Sequence, residues 1–219
     1  MRAIYIIVEG QTEEEFINNV LCPFFQSKGI YDVRAIPLET SSGHKGGDLK
    51  YDRLKPNALR FMKHEKDIIV TSLIDFYKIK NDFPKFVESK SISNKLQQVI
   101  FLETAISEDI NNHRFIPYIQ LHEFEGLLFS AKRGFEYFPG IPKANKDNIF
   151  QIIESYPNPE LINDGLETHP SKRLENLIPG YEKPLHGPII ALENGIHSIL
   201  EKCPRFKGWV ELLISNMQP

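Results

Sequence analysis

The chain has 219 residues, 41% of them hydrophobic and 25% charged, with a formal net charge of -3. That composition is enough for a packed core, and it excludes a disordered chain and a polybasic binder that works by bulk phosphate attraction. Cys22 and Cys203 are far apart and form no CxxC, which argues against a disulfide framework or a structural zinc site and fits a reducing, cytoplasmic compartment. The apolar run Ala3–Val8 is too short for a signal segment or a membrane span, so no membrane partner is expected.

Residues Met1–Val8 form a β-branched and aromatic run without interleaved polar groups, the pattern of a strand buried on both faces. The run stops at Glu9-Gly10. Thr12 reads as an N-cap, Glu15 completes a capping box, and Phe16, Val20, Leu21 and Phe24 follow at helical spacing. Pro23 predicts a bend or break near the helix end. Asp32–Leu38 reads as a second strand and Thr40–Lys50 as a Gly-rich polar loop. Asp52–His64 reads as a helix with Pro56 in its first turn. Asp67–Asp75 is a third buried-type strand, Phe76–Ser91 a loop, Ser93–Asn111 a long helix, Arg114–Leu121 a fourth strand and His122–Ser130 a short helix. Alternating strands and helices predict an α/β fold with a mostly parallel sheet.

Beyond about Lys132 no strand is evident. Prolines divide the rest into short helices near Asn145–Ser155, Ser171–Leu177, Gly187–Leu192, Gly195–Glu201 and Arg205–Asn216. The expected organisation is an α/β domain over residues 1–131 and a helical extension packed on it over 132–219.

Ligands of open α/β sheets bind at the carboxyl ends of the strands. Glu9 follows the first strand, Asp75 the third, and His122, Glu123 and Glu125 the fourth. Any one of these acids alone is explained by solvent or a helix dipole. Together, clustered carboxylates ask for a cation, and oxygen donors suit Mg²⁺, which could stabilise the attacking and leaving oxygens of a phosphodiester. Glu123 and Glu125 would point about 200° apart on a helix but share a face on an extended strand.

Val8-Glu9-Gly10-Gln11-Thr12-Glu13 after a first strand resembles the opening motif of the Toprim domain, in the form closest to nucleases of the overcoming-lysogenisation-defect (OLD) family. The whole chain is similar to a family of bacterial Toprim-like proteins found beside ABC/AAA-type ATPases in phage-defence loci. The similarity runs through Val8–Glu13, Gly43–Gly47, Leu121–Phe129, Asn163–Arg173 and Pro179–Pro188. The resemblance implies a Toprim-like (Rossmann-like) fold, a metal-binding Glu at position 9 and an Asp-x-Asp after the third strand. Here that motif is Asp75-Phe76-Tyr77, and Tyr77 cannot act as a carboxylate ligand. Asp82, Glu123 or Glu125 would have to replace it.

The remaining candidates are phosphate contacts. Gly43-His44-Lys45-Gly46-Gly47 is a flexible cationic loop without P-loop spacing. Ser171 reads as an N-cap with Lys172 and Arg173 in the first turn, where cations oppose the helix dipole unless they grip an anion. Tyr181, Lys183 and His186 lie on a stiff Pro-bounded loop. Lysines interleave with Phe76, Tyr77, Phe83 and Phe86, a mixture that suits either a solvated loop or single-stranded nucleic acid.

The resulting expectation is a Mg²⁺- or Mn²⁺-dependent nuclease acting on DNA or RNA. Glu9, Asp75, Glu123 and Glu125 are its catalytic carboxylates, and Glu9, Asp75 and Glu123 its metal ligands. His44, Lys45, His122, Lys172, Arg173, Lys183 and His186 hold substrate. The resemblance implies an ABC/AAA-type ATPase partner encoded nearby, and a homodimer is compatible with it. The rival expectation is a catalytically degenerate module that binds and regulates that ATPase.

Overall fold

A computed structural model describes residues 2–41, 44–45, 49–136, 138–163, 165 and 167–218, with only the backbone at 39–41 and 44–45. Strand β1 (Ala3–Val8) leads into α1 (Gln11–Phe16), a π-helical turn (Ile17–Leu21) and α2 (Cys22–Ser27). Strand β2 (Val33–Pro37) precedes a small antiparallel pair, β3 (Glu39–Ser41) and β4 (His44–Lys45). Next come α3 (Tyr51–His64), β5 (Ile68–Asp75), α4 (Phe86–Ser89) and α5 (Lys95–Ile110). Two short strands, β6 (Phe115–Ile116) and β7 (Ile119–Gln120), are followed by a 3-10 segment at Phe124–Ser130. The chain continues through α6 (Arg133–Glu136), α7 (Lys143–Ser155), α8 (Pro170–Leu177), α9 (Lys183–Asn194), α10 (Ile196–Lys202) and α11 (Pro204–Met217).

The main sheet has the order β2-β1-β5-β6, with β7 also on β5, and every pair in it is parallel. This is the expected mostly parallel α/β sheet flanked by helices. β1 is central, which explains its unbroken apolar run. Ile4, Ile6 and Val8 face one core with Phe16, Phe124, Phe206 and Trp209. Ala3, Tyr5 and Ile7 face the other with Leu54, Val99 and Leu102. Side chains alternate across a strand, so only a strand covered on both sides can be apolar at every position. The helices after residue 132 supply one of those covers: Ile199, Phe206, Trp209 and Leu213 belong to the same core as Ile4 and Ile6.

Several local expectations are corrected. Gly10, not Thr12, precedes the first helix, and Thr12 is buried against α9. Pro23 does not break the helix. The wider π-helical turn ahead of it absorbs the missing N–H, and α2 runs on. Pro56 lies inside α3 rather than in its first turn. Ser171 is the second residue of α8, after Pro170. The fourth strand is split at Pro117, which has no N–H for the ladder. Side chains of β5 bridge the gap: Thr71 Oγ1 donates to the Ile116 carbonyl (2.5 Å). Ser72 Oγ donates to the Tyr118 carbonyl (3.0 Å) and accepts from the Tyr118 N–H (3.0 Å).

The C-terminal layer is fixed by buried polar contacts as well as apolar area. Glu160, 1% exposed, accepts from the backbone N–H groups of Arg205 (2.9 Å) and Phe206 (3.0 Å) at the start of α11. Arg205 reaches Glu103 of α5 and the Ile119 carbonyl (2.8 Å), and Trp209 Nε1 donates to Thr71 Oγ1 (2.9 Å). Replacing Glu160 with Ala strands two helix-terminal donors. It is expected to lower the unfolding free energy by roughly 2–4 kcal/mol, with Glu160→Gln recovering part of the loss. Urea denaturation checks this; an unchanged midpoint for Glu160→Ala would show that α11 is held elsewhere.

Candidate functional site

The carboxyl ends of β1 and β5 lie side by side because Val8 pairs with Leu73. Glu9 and Asp75, the residues at those ends, therefore meet. Glu9 Oε1 accepts from the Asp75 backbone N–H at 2.8 Å. Asp75 Oδ1 accepts from the Phe124 N–H at 2.7 Å, which ties the strand end to the 3-10 segment carrying Glu125. Helix α9 completes the cluster. Lys183 Nζ stands 3.5 Å from Asp75 Oδ2 and 3.0 Å from Glu125 Oε1. These are ion contacts, because neither of those oxygens, nor Glu125 Oε2, receives an aligned hydrogen bond among the described residues.

The packing of α9 on α1 brings these groups together. Gly187 of α9 faces Thr12 of α1, and a Cβ at position 187 would lie 3.4 Å from Thr12 Cγ2. Lys183 sits one turn before Gly187, and Glu13 is next to Thr12, so this packing brings the ammonium to the acids. Glu13 is buried and interacts electrostatically with Asp75 and Lys183. Sequence reasoning missed Glu13. Its signal was position: it shares the helical spacing of Phe16, Ile17 and Val20, so an acid stands on the buried face of an amphipathic helix.

Four carboxyl groups, those of Glu9, Glu13, Asp75 and Glu125, thus face one ammonium. Burial raises the pKa of each, and repulsion adds to it: from Asp75 on Glu9, Glu13 and Glu125, and from Glu123 on Asp75 and Glu125. Glu13 is pushed up to about 7 and Glu125 to about 8, while Lys183 partly opposes both shifts. Burial pulls the Lys183 pKa down, but the charges of Asp75 and Glu125 outweigh it and hold the value well above the usual range.

The other expected residues divide. Glu123 lies beside the cluster but is turned away from Lys183. Its Oε2 meets His169 Nδ1 and the Ser171 N–H, both at 3.0 Å, and its Oε1 accepts from Ser171 Oγ at 3.1 Å. Glu123 has extended backbone while Glu125 is already in the 3-10 segment, so the two do not share a face. His122 is buried, and burial lowers its pKa to about 4, which makes it neutral at pH 7. Asp82 is occupied elsewhere, accepting from the Tyr51 N–H at the start of α3 (2.7 Å). Lys172 pairs with Glu175 (3.2 Å), and Arg173 holds the Thr168 carbonyl and lies over Tyr156. His186 accepts from the Glu182 N–H (2.8 Å) and lines a separate cavity of about 610 Å³ with Phe138 and Ile189. Gly43, Gly46 and Gly47 lie outside the described residues. Of His44 and Lys45 only the β4 backbone is described.

The donor set is entirely carboxylate oxygen, as a hard divalent cation requires. With their pKa values raised, these acids hold protons that such an ion would have to displace. Among the described residues, no group of three or more His, Cys, Asp or Glu side chains is arranged as it stands to hold a metal ion. No helix of the described residues is long and apolar enough to cross a membrane.

No curated protein matches the chain. Among solved structures, it is similar to the C-terminal region of the Xanthomonas campestris pv. campestris OLD protein phased with platinum. The two share 13% identity over 99% of this chain and 98% of that one, with a TM-score of 0.42. The same region phased with iodine gives 13% identity over 97% of each chain and a TM-score of 0.40. A family model matches residues 8–214, and the chain belongs to that family, described as Domain of unknown function (DUF4276).

Proposed function

We propose that the chain is a Mg²⁺- or Mn²⁺-dependent phosphodiesterase acting on DNA or RNA, with Glu9, Glu13, Asp75 and Glu125 as its metal-holding carboxylates. One observation carries this reading: four acids meet a single lysine, with Glu13, Asp75 and Glu125 buried, and Lys183 is the one cation in contact with Asp75 Oδ2 and Glu125 Oε1 among the described residues. Such a cluster costs free energy unless more positive charge arrives. A divalent ion bound there would neutralise phosphate charge and lower the pKa of bound water. The chain's own part is to fix the geometry. The Asp75 N–H orients Glu9, and the Phe124 N–H orients Asp75. Lys183 is placed to hold a phosphate oxygen or to steady Glu125. Glu123, committed to His169 and Ser171, braces α8 against the site in this reading rather than serving as the metal ligand expected from sequence.

The resemblance of Val8–Glu13 to OLD-like Toprim motifs supplies the setting proposed for this activity: anti-phage defence beside an ABC/AAA-type ATPase partner. One observation favours the rival reading, a degenerate module that regulates such an ATPase. Lys183 already stands where a cation would act, and Tyr77 replaces the second Asp. A nicking assay on plasmid and RNA with Mg²⁺ or Mn²⁺ separates the two. Asp75→Asn and Glu125→Gln are each expected to reduce cleavage by at least about 100-fold, since even outer partners of a metal site are worth 10–100-fold. Wild-type inactivity together with tight co-purification with the ATPase would favour the rival.

The acid pKa values generate a second expectation that needs no turnover. Without metal, Glu13 and Glu125 hold protons more tightly folded than unfolded, so stability falls as pH rises from about 5 through about 7 and 8. Glu9 and Asp75 shift in the same direction, with the Lys183 charge reducing both shifts. Protons compete with a cation for these oxygens, so the rise in melting temperature produced by Mg²⁺ should grow between pH 6 and 8.5. It should shrink in Glu125→Gln. A melting temperature indifferent to Mg²⁺ and Mn²⁺ throughout that range would sink the metal site.

A further inference from the structure

The aromatic residues that follow β5 separate into two groups. Phe76 and Phe83 are core, at 7% and 2% exposure, and Phe86 is half-buried with Lys90 Nζ 4.9 Å from its ring centre. Tyr77, two residues beyond Asp75, is 40% exposed. Its ring centre lies 5.6 Å from that of His122 and 6.0 Å from that of His169. Both imidazoles are held in place from separate segments. His169 Nδ1 is fixed by Glu123 (3.0 Å) and Ser171 Oγ (3.1 Å). His122 Nδ1 meets Asn163 Nδ2 (3.2 Å), and the His122 carbonyl accepts from the Tyr77 N–H (3.3 Å).

His122 adopts φ 66°, in the left-handed region that side chains with a Cβ avoid. Strain of this kind persists only where the surroundings impose it, and it gathers at ligand sites. Here it sets an imidazole beside an exposed phenol at the rim of the acid cluster. Packing alone does not account for that: a ring serving the core would be covered, as Phe76 is. A ring that is 40% exposed and braced by two imidazoles is placed to meet another flat ring. The exposed Lys78 beside it supplies charge for a phosphate backbone.

We infer that Tyr77, braced by His122 and His169, is a seat on which an unpaired nucleobase stacks, making single-stranded nucleic acid the substrate of the carboxylate site. The second half of that statement rests on the phosphodiesterase reading; the first does not. Every base has a π-face, so such a seat tolerates sequence, whereas bases stacked within a duplex present only their edges. Base-on-aromatic stacking is worth about 1–3 kcal/mol, or roughly 5- to 150-fold in affinity.

The test is fluorescence titration of a short single-stranded oligonucleotide carrying 2-aminopurine, beside its duplex, with wild type, Tyr77→Phe and Tyr77→Leu. The expected result is tighter single-strand binding with quenching of the 2-aminopurine, retained in Tyr77→Phe. Tyr77→Leu should weaken single-strand binding by about tenfold or more and lose the quench, with duplex binding unchanged. Wild type that binds no single strand, binds duplex as tightly, or is matched by Tyr77→Leu would overturn the seat. Cleavage measured alongside separates the two readings. Binding and quenching without cleavage under Mg²⁺ or Mn²⁺ leaves the seat standing and removes the phosphodiesterase. Cleavage of single strand and duplex alike, unaffected in Tyr77→Leu, keeps the phosphodiesterase and removes the seat.

Discussion

The attraction between Lys183 and the carboxylates of Asp75 and Glu125 organises this molecule. It brings α9 onto two pieces of chain that the Phe124 N–H already ties together, the end of β5 and the 3-10 segment after β7. Without the lysine, only protons and two backbone N–H groups would offset the repulsion of the acids at the end of the central sheet. The protein therefore places one cation among four acids and leaves the balance incomplete. An interior that is electrostatically unfinished is expensive to keep, and such arrangements are commonly found where chemistry needs them.

The same attraction explains why the helices after residue 132 are more than a cover. They bury one face of the sheet, with Ile199, Phe206 and Trp209 on Ile4 and Ile6. They also carry Lys183 into the acid cluster, and His169 and Ser171 onto Glu123. Helix α9 packs on α1 beside Thr12, which places the Lys183 charge near that of Glu13. The cluster is therefore incomplete without this half of the chain.

Much of the fold was legible. The unbroken apolar runs at Ala3–Val8 and Ile68–Asp75 are what strands covered on both faces require, and these are the two central strands. Four of the proline-bounded helices of the second half fell close to their expected limits, but α9 starts at Lys183 rather than Gly187, so Lys183 and His186 are helical and not on a loop. Errors came where a local rule met a tertiary remedy. Pro117 splits a strand, yet Thr71 and Ser72 bridge the gap with side-chain hydrogen bonds. Pro23 is absorbed by a π-helical turn. Thr12, a capping residue by type, is buried because α9 lies on it.

By itself, the sequence determined the parallel sheet and the acids at its strand ends, because hydrophobic periodicity and strand order fix which residues emerge at one edge. It marked Glu9, Asp75 and Glu125 correctly as neighbours of that edge. Only the tertiary structure decided how they are used. Glu13 enters because a helix turns its buried face to the cluster. Glu123 turns away because α8 offers it better donors. Lys183, read as a loop cation, stands in the first turn of α9, and the packing of that helix brings its charge to the acids. Periodicity assigns a side chain to a face; which distant charge meets that face depends on packing between elements far apart in the chain.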